Sequence, residues 1–308
     1  MLITDPIHED GVKLLESNGF QVDLDYGISH EELKSRIRSY DVLIVRSRTK
    51  VTREIINAAE NLKVIGRAGV GLDNIDLKAA EEKGIKVFSS PEASSTSVAE
   101  LVFGLLLALY RKIAFCDRSM KEGKWVKRKA LGFQLQGKTL GIIGLGRIGR
   151  EVAARAKAFG MRVVYYDIRR APPEVEKALE AEFRSMDEVL TASDIITIHV
   201  PLTPGTYHLI GEKELSLLKP TAVIVNTSRG AVVDTKALLE ALKSGKLLGA
   251  CLDVFENEPP KEPWELELIK LPNVVATPHI GAMTVEAQRA AAVILANRII
   301  EYFRRKTL

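Results

Sequence analysis

The sequence predicts an α/β protein that contains two parallel β-sheets. Short β-rich runs alternate with helical stretches, and 308 residues are enough for two domains. Several later runs, such as AVIVNTS and LLGACLDV, are almost continuously apolar, as expected of strands that are covered by helices on both faces. The fold class predicted is therefore two doubly wound parallel-sheet domains.

The first ninety residues alternate most cleanly. Strands are predicted at MLITD, FQVDLDY, DVLIVRS, KVIGRAG and IKVFSS, with helices at SHEELKSRIRS and TREIINAAE. The segment SPEASSTSVAE then leads into an apolar helix from about Val98, which we interpret as the passage between domains. The apolar stretch at 101–110 is too short for a membrane span, which needs about 20 residues, so a buried or interface helix is predicted.

A second series of strands and helices runs from KTLGIIG to NVVATPH. Its inner strands are predicted at RVVYYD, DIITIHV, AVIVNTS and LLGACLDV, and one long amphipathic helix follows Thr284. The segment 169–183 is predicted to be a surface excursion.

Composition and charge argue against several classes of function. The 44 basic and 40 acidic residues are mixed along the chain, without the basic block that is typical of nucleic-acid binding. The two cysteines are isolated and form neither a disulfide framework nor a metal motif. Since the N-terminus also shows no apolar signal core, we expect a cytoplasmic protein with reduced thiols, no metal and no membrane contact.

A glycine-rich turn gives the strongest local signal. Gly144, Gly146 and Gly149 form the pattern G-x-G-x-x-G between an apolar strand and a helix. Such glycines allow a tight turn, close approach of a pyrophosphate and close helix packing, and the helix N-terminus faces the phosphates. The alternative is a strand-to-helix turn that binds no nucleotide. The complete strand–turn–helix–strand unit favours dinucleotide binding.

The choice of dinucleotide depends on the end of the next strand. Asp167 lies there, 18 residues after Gly149. An acid at this position accepts hydrogen bonds from the ribose hydroxyls and repels a 2′-phosphate, so NAD is predicted rather than NADP. Arg169 and Arg170 follow, and their charges would weaken that exclusion.

Three polar residues follow predicted strands of the second series. They are Arg229, Glu258 and His279. Taken singly, they have ordinary explanations as a surface guanidinium, a loop acid and a packing histidine. Together, at the carboxyl edge of a nucleotide-binding sheet, they provide a carboxylate anchor, an acid and a titratable imidazole. This set suits hydride transfer, in which histidine takes one proton and a neighbouring carboxylate favours the imidazolium.

The motifs GIIGLGRIGREVAARAKAFGMRVVYYD, NTSRGAVVD, LDVFENEP and TPHIG resemble the D-isomer-specific 2-hydroxyacid dehydrogenase family, and the likeness extends over essentially the whole chain. The resemblance implies that His279 is the acid/base, Glu258 its partner and Arg229 the anchor of the substrate. It also implies a Rossmann NAD-binding domain, 96–284, inserted into a flavodoxin-like substrate domain, 1–95 and 285–308. The substrate would lie between the two domains.

The resemblance assigns further residues to ligands. The substrate is expected at Arg46, Ser47, Gly69, Val70 and Gly71, with the amides of the last three holding its carboxylate. NAD is expected at Gly144, Gly146, Arg147, Ile148, Gly149, Asp167, His199, Val200, Pro201, Thr206, Thr227, Ser228, Asp253 and Gly281. The apolar helix after Val98 is expected to help form a homodimer.

Within the family, VRSRTKVT and VIGRAGVGLDNIDLKAA resemble the branch that oxidises D-3-phosphoglycerate with NAD, the first step of phosphorylated serine biosynthesis. Arg46 is placed to meet the phosphate, a ligand that suits arginine. Since the chain ends at Leu308, we expect it to lack the serine-binding regulatory domain of many such enzymes. Two alternatives remain open: a glyoxylate or hydroxypyruvate reductase, and an NAD-sensing adaptor without turnover.

Overall fold

The computed structural model describes residues 1–307 and contains two β-sheets, of five and seven strands. All strand pairs in both sheets are parallel, so the predicted α/β fold with two parallel sheets is confirmed. Val98–Gly281 form one compact unit, here called the second unit. The described residues before and after it form the first unit.

The first unit has the strand order β2-β1-β3-β4-β5. Its strands are β1 (Leu2–Ile3), β2 (Asp23–Leu24), β3 (Val42–Val45), β4 (Val64–Arg67) and β5 (Lys86–Ser89). Its helices are α1 (Glu9–Ser17), α2 (His30–Arg36), α3 (Arg53–Ala58), α4 (Leu77–Glu82) and α13 (Val285–Thr307), with a 3₁₀ turn at Ile37–Ser39.

Alternation along the central strand β3 divides the core of this unit between the two faces of the sheet. Val42 and Ile44 belong to one cluster, which includes Leu295 and Ile299 of α13. Leu43 and Val45 point the other way, into a cluster with residues of α2, α3 and α4. All four β3 residues are buried, which explains why this strand is apolar without interruption.

The second unit has the strand order β12-β11-β10-β9-β6-β7-β8. Its strands are β6 (Thr139–Ile143), β7 (Arg162–Tyr166), β8 (Ala181–Phe183), β9 (Ile195–Ile198), β10 (Val223–Asn226), β11 (Gly249–Leu252) and β12 (Val274–Ala276). Its helices are α6 (Ile113–Lys121), α7 (Arg147–Ala158), α8 (Pro173–Leu179), α9 (Met186–Ala192), α10 (Glu212–Ser216), α11 (Thr235–Lys243) and α12 (Pro263–Leu268), with 3₁₀ turns at Lys127–Lys129 and Gly230–Val232. The division between the units falls within α5 (Ser95–Tyr110).

Two apolar clusters cover the two faces of the seven-stranded sheet. One joins Ile142 and Val225 to α5 and α7, and the other joins Ile143 and Ile224 to α9 and α11. Because both faces are covered, the inner strands are apolar throughout and their ends carry the polar residues.

The segment 169–183 lies largely on the surface, as predicted, but the prediction missed its regular structure. It contains α8 and the edge strand β8, which pairs with β7 through Val163, Val164 and Tyr165. Three residues of strand carry too little periodicity to be recognised in sequence, and pairing with β7 supplies the stabilisation that the local pattern does not reveal.

Candidate active site

The three predicted catalytic residues follow adjacent strands of the second unit. Arg229 lies three residues after β10, Glu258 six after β11 and His279 three after β12. These strands are neighbours in the order β12-β11-β10, and parallel strands end at the same edge of a sheet. The topology therefore brings the loops that carry all three side chains to one edge.

Glu258 and His279 form a hydrogen-bonded pair, with 2.6 Å between Nδ1 of the imidazole and Oε2 of the carboxylate. Burial raises the pKa of Glu258, but the hydrogen bond and charge of His279, the N–H of Phe255 and the charge of Arg229 outweigh it, so the pKa lies below its usual value. Glu258 is therefore an anion at neutral pH. The pairing uses Nδ1 and leaves Nε2 as the ring nitrogen that would meet a substrate.

The environment of this pair is partly apolar. Glu258 and His279 line a cavity of about 420 Å³ together with Phe255, Ile269 and Pro278. The two side chains remain 39% and 47% exposed, so they are accessible to a small molecule. An apolar wall beside the pair strengthens the hydrogen bond between its two members.

The turn that carries His279 is held by Asp253. The backbone of His279 lies in the left-handed region, with φ at 52°, which a residue other than glycine adopts only where its surroundings enforce it. The buried carboxylate of Asp253 accepts hydrogen bonds from the N–H groups of Ile280 and Gly281, both at 2.8 Å, and from Thr277 Oγ1 at 2.6 Å. The carbonyl of Asp253 also accepts the N–H of His279, at 2.8 Å. Asp253 thus fixes the orientation of the imidazole.

A second buried carboxylate holds the loop that carries Glu258. Glu265 is fully buried at the start of α12, and its two oxygens accept the N–H groups of Asn257, Lys261 and Glu262 and the side-chain amide of Asn257, at 2.9–3.1 Å. Burial raises the pKa of Glu265, but these donors outweigh it and lower the pKa overall. Because residues on both sides of Glu258 donate to the carboxylate of Glu265, that carboxylate holds the loop that carries Glu258 closed.

The turn that carries Arg229 approaches the same loop through Gly230. A Cβ on Gly230 would lie 1.9 Å from the carbonyl carbon of Phe255, so only glycine allows this approach. Asn226 donates its side-chain amide to the carbonyl of Arg229, at 2.9 Å, and fixes the start of the turn. The charge of Arg229 consequently acts on Glu258.

The glycine turn between β6 and α7 fits a dinucleotide. Gly144 has φ at 96°, and a Cβ there would lie 2.9 Å from the carbonyl oxygen of His199. A Cβ on Gly149 would lie 2.2 Å from the carbonyl oxygen of Gly144, so the helix packs directly on the turn. At Gly146, by contrast, a Cβ would meet no atom within 4 Å, which leaves the start of α7 open to a phosphate. Arg147 and Ile148 form the first turn of that helix.

The acid at the end of β7 lies beside this turn. Asp167 accepts the N–H of Leu145 through Oδ2, at 2.8 Å, and that of Arg169 through Oδ1, at 3.3 Å. Its carboxylate is therefore oriented next to the glycine turn, where the resemblance predicts the ribose of NAD.

Two buried polar atoms at the ends of β9 and β10 also fit a bound group. Thr227 Oγ1 and His199 Nδ1 are buried, and neither has a hydrogen-bond partner among the described residues. The other nitrogen of His199 contacts Thr197 Oγ1 at 2.8 Å. Burial lowers the pKa of His199 to about 3, so its ring is neutral. Buried polar atoms of this kind normally find a partner, and a cofactor would supply one.

The remaining predicted cofactor residues lie in the same unit, although several are used by the protein itself. Val200 and Pro201 follow β9, and the hydroxyl of Thr206 donates to the carbonyl of Pro201, at 2.6 Å. Ser228 bonds Asn226 through its N–H and its hydroxyl, and Gly281 bonds Asp253. Their contacts with NAD remain predictions.

The predicted substrate residues lie in the first unit, after β3 and β4. A buried carboxylate again holds the loop: Asp5 accepts the N–H groups of Arg46 and Thr49, at 2.6 and 3.1 Å, and Arg48 Nε at 2.8 Å. Arg48 is thus paired with Asp5. Arg46 bonds the carbonyl of Pro6 at 3.3 Å, and burial, opposed by the charge of Asp5, lowers its pKa. Ser47 between them is exposed.

The glycine loop after β4 contains the remaining predicted substrate residues. Gly69 has φ at 145° and donates its N–H to Ser90 Oγ, at 2.9 Å. Val70 is exposed, and Gly71 is half-buried. The amide of Gly69 is thus bonded within the protein, whereas those of Val70 and Gly71 are the better candidates for a carboxylate.

Sequence reasoning missed the three carboxylates that shape these loops: it did not identify Asp5 or Glu265, and it gave Asp253 only a cofactor role. A partial signal existed for Glu265, because it stands three residues after Glu262 and just after Pro263, a spacing typical of a helix start. No signal in the sequence shows that the carboxylate would bind a loop upstream of it. Among residues 1–307, no group of three or more metal-binding side chains is assembled, and no helix has the length and apolar character to cross a membrane.

The comparison with protein families agrees with this arrangement. The family described as D-isomer specific 2-hydroxyacid dehydrogenase, NAD binding domain, matches residues 103–281. Among curated relatives, D-3-phosphoglycerate dehydrogenase of Methanocaldococcus jannaschii is 52% identical over 99% of this chain and 57% of its own length. Hydroxypyruvate reductase of Thermotoga maritima is 48% identical over 97% of this chain and 96% of its own length.

Solved structures give the same result. A glyoxylate reductase from Paecilomyes thermophila superposes with a TM-score of 0.87 at 35% identity, covering 97% of this chain and 93% of the other. The chain spans little more than half the length of the D-3-phosphoglycerate dehydrogenases that it matches. The share is 57% for the protein of Methanocaldococcus jannaschii and 56% for that of Archaeoglobus fulgidus.

Proposed function

The chain belongs to the D-isomer specific 2-hydroxyacid dehydrogenases, and from that premise we propose that it oxidises D-3-phosphoglycerate to 3-phosphohydroxypyruvate with NAD. The observation that carries the proposal is the hydrogen-bonded pair of Glu258 and His279, with the charge of Arg229 acting on it, in the unit that holds the glycine turn. The similarity to the Methanocaldococcus jannaschii enzyme supports the choice of substrate. The reaction would open the phosphorylated route to serine.

The chemistry divides between the cofactor and the protein. The glycine turn and Asp167 would hold NAD, whose nicotinamide would accept the hydride. His279 takes the proton of the substrate hydroxyl on Nε2, while Glu258 fixes the ring and stabilises the imidazolium. Arg229 binds the substrate carboxylate and polarises the oxygen that becomes the carbonyl. In the reverse direction, the imidazolium returns the proton.

The phosphate of the substrate is assigned to Arg46. The guanidinium is partly buried, and its hydrogen bonds go to two uncharged acceptors, the carbonyl of Pro6 at 3.3 Å and Met283 Sδ at 3.7 Å, so a phosphate would improve its pairing. The loop is already shaped by Asp5, which bonds the N–H of Arg46 rather than its side chain.

A second candidate function is the reduction of hydroxypyruvate or glyoxylate by the same residues. The Thermotoga maritima hydroxypyruvate reductase, at 48% identity, favours it. It differs from the first proposal in the substrate alone, because neither acid carries a phosphate.

We also propose that the chain forms a homodimer, but through a different surface from the apolar helix after Val98, because Val102, Phe103 and Leu106 of α5 are buried in the core of the second unit. Large apolar side chains are exposed on one segment of the second unit, between 113 and 133: Ile113, Phe115, Met120, Trp125, Leu131 and Phe133. A patch of this kind on a protein surface marks an interaction site. Sedimentation equilibrium should give about twice the chain mass of 34.0 kDa, and a monomer at micromolar concentration would contradict this assignment.

The substrate proposal predicts that phosphohydroxypyruvate is reduced more efficiently than hydroxypyruvate or glyoxylate when NADH consumption is measured side by side. Arg46→Ala should lower kcat/KM for the phosphorylated acid by about tenfold or more, since it removes a charge-assisted contact, and should leave the other two acids nearly unchanged.

Lys50→Ala is the matched control, because it removes an exposed positive charge from the same loop. An equal loss for all three acids would remove Arg46 from the phosphate site. Preference for the unphosphorylated acids would establish the second function, and NADH binding without turnover would indicate the adaptor.

The acid–base proposal predicts a shifted pH profile for Glu258→Gln. The lowered pKa of Glu258 keeps it charged throughout the neutral range, so the proton that His279 delivers in the reduction lies beside a full negative charge. Glutamine removes that charge. The alkaline fall of the reduction rate should then move to lower pH.

The control is Glu267→Gln, an exposed acid of α12 that pairs with Lys243. It should leave the profile in place. If Glu258→Gln lowered the rate without moving the pH profile, Glu258 would not be the partner of His279 in the reaction.

A further inference from the structure

The sequence leaves one question about the cofactor open. Arg169 and Arg170 follow Asp167 directly, in the loop after β7, and an arginine there is the residue type that would bind the 2′-phosphate of NADP. What Arg170 contacts in the folded protein therefore bears on the choice between the two dinucleotides. This inference rests on the proposed binding of NAD at the glycine turn.

Arg170 forms a two-pronged contact with a single acid, Glu176 of α8. Its Nε donates to Oε1 and its Nη2 to Oε2, both at 2.9 Å. This is the two-pronged geometry with which a guanidinium would otherwise bind a phosphate. The flat guanidinium also lies over the ring of Phe183 in β8, 5.7 Å from its centre.

Glu176 is itself held from a third side. The buried Tyr165 of β7 donates its hydroxyl to Oε1, at 2.7 Å, and the same hydroxyl accepts the N–H of Ala171, at 2.9 Å. Burial and the bond to Glu176 raise the pKa of Tyr165 to about 12, so the hydroxyl remains a donor at neutral pH. The side chain of Glu176 is only 13% exposed, unlike that of Arg170 at 65%. Glu176 is therefore held in place by the protein, and the exposed side chain of Arg170 binds to it.

Two other acids near this loop have partners of their own. Asp167 binds the N–H groups of Leu145 and Arg169, which leaves its negative charge beside the turn. On β8, Glu182 pairs with Arg162 and Arg184, at 3.1 and 2.8 Å. Glu176 is therefore the acid that neutralises Arg170.

We propose that Glu176 is a specificity residue for the cofactor, which holds the guanidinium of Arg170 away from a 2′-phosphate and thereby maintains the preference for NAD. Asp167 repels the phosphate, and Glu176 engages Arg170, one of the two cations after Asp167 that would offset this repulsion. NAD selectivity thus depends on an acid in α8, nine residues beyond Asp167, that need not touch the dinucleotide.

The test is a fluorescence titration of the purified protein with NADH and with NADPH, supported by kcat/KM for both cofactors. Glu176→Gln keeps the shape of the side chain and an oxygen that can accept from Tyr165, but it removes the charge that binds Arg170. The ratio of the two dissociation constants, NADPH over NADH, should fall by about fivefold, the effect of one exposed charge pair.

Two further variants isolate the role of Arg170. Adding Arg170→Gln to Glu176→Gln should restore the ratio of the unsubstituted protein. Arg170→Gln alone should leave the ratio unchanged, because the guanidinium is already engaged. Glu182→Gln serves as the matched control for charge, since it neutralises an acid of the adjacent strand that does not bind Arg170, and it should also leave the ratio unchanged.

The inference is overturned if Glu176→Gln leaves the ratio as it was, if Glu182→Gln lowers it equally, or if the added Arg170→Gln does not restore it. A thermal melt of each variant shows whether the unit is folded. If Glu176→Gln fails to fold, Glu176→Asp replaces it. Its shorter side chain also loosens the two-pronged contact, so the ratio should change in the same direction. If the unsubstituted protein bound neither NADH nor NADPH, the proposed function would fail rather than this inference.

Discussion

Buried carboxylates that bind loop N–H groups are the interaction on which the loops of the predicted site residues depend, in each of the two units. Glu265 closes the loop around Glu258, Asp253 closes the turn around His279, and Asp5 does the same for the loop of Arg46. The N–H groups of an irregular loop have no helix or strand carbonyls as regular partners, so each buried N–H group needs another acceptor. A carboxylate accepts several at once and fixes the loop in one conformation, which a catalytic side chain requires.

This arrangement links the fold to the proposed chemistry. Because the strands are parallel, β10, β11 and β12 end at one edge of the sheet. Strand order alone, however, determines the positions of the following loops only approximately. Contact at hydrogen-bond distance needs finer control. Gly230 lets the Arg229 turn touch the backbone at Phe255, and the left-handed backbone of His279 directs its ring to Glu258. Backbone contacts of the protein itself thus hold Glu258 and His279 at hydrogen-bond distance.

Much of the fold and part of the candidate site could be predicted from the sequence, because these features depend on local sequence patterns. The alternation of strands and helices gave the two parallel sheets, and the glycine turn with Asp167 follows from spacing along one βαβ unit. The acids Asp5, Glu176 and Glu265 act on partners that only the fold brings within reach, and an acid in sequence looks the same whether it is solvated or buried. The short strand β8 was missed for a related reason, since its stability comes from pairing with β7.

We propose that Glu265 acts on catalysis by holding Glu258 against His279. A double-mutant cycle of Glu265→Gln and Glu258→Gln, read as kcat/KM for phosphohydroxypyruvate with NADH affinity measured in parallel, tests it most directly. If the claim is right, each single variant loses activity, the double variant loses little more than Glu258→Gln alone, and NADH still binds. Losses that multiply in the double variant would show that Glu265 and Glu258 act independently and would contradict the account.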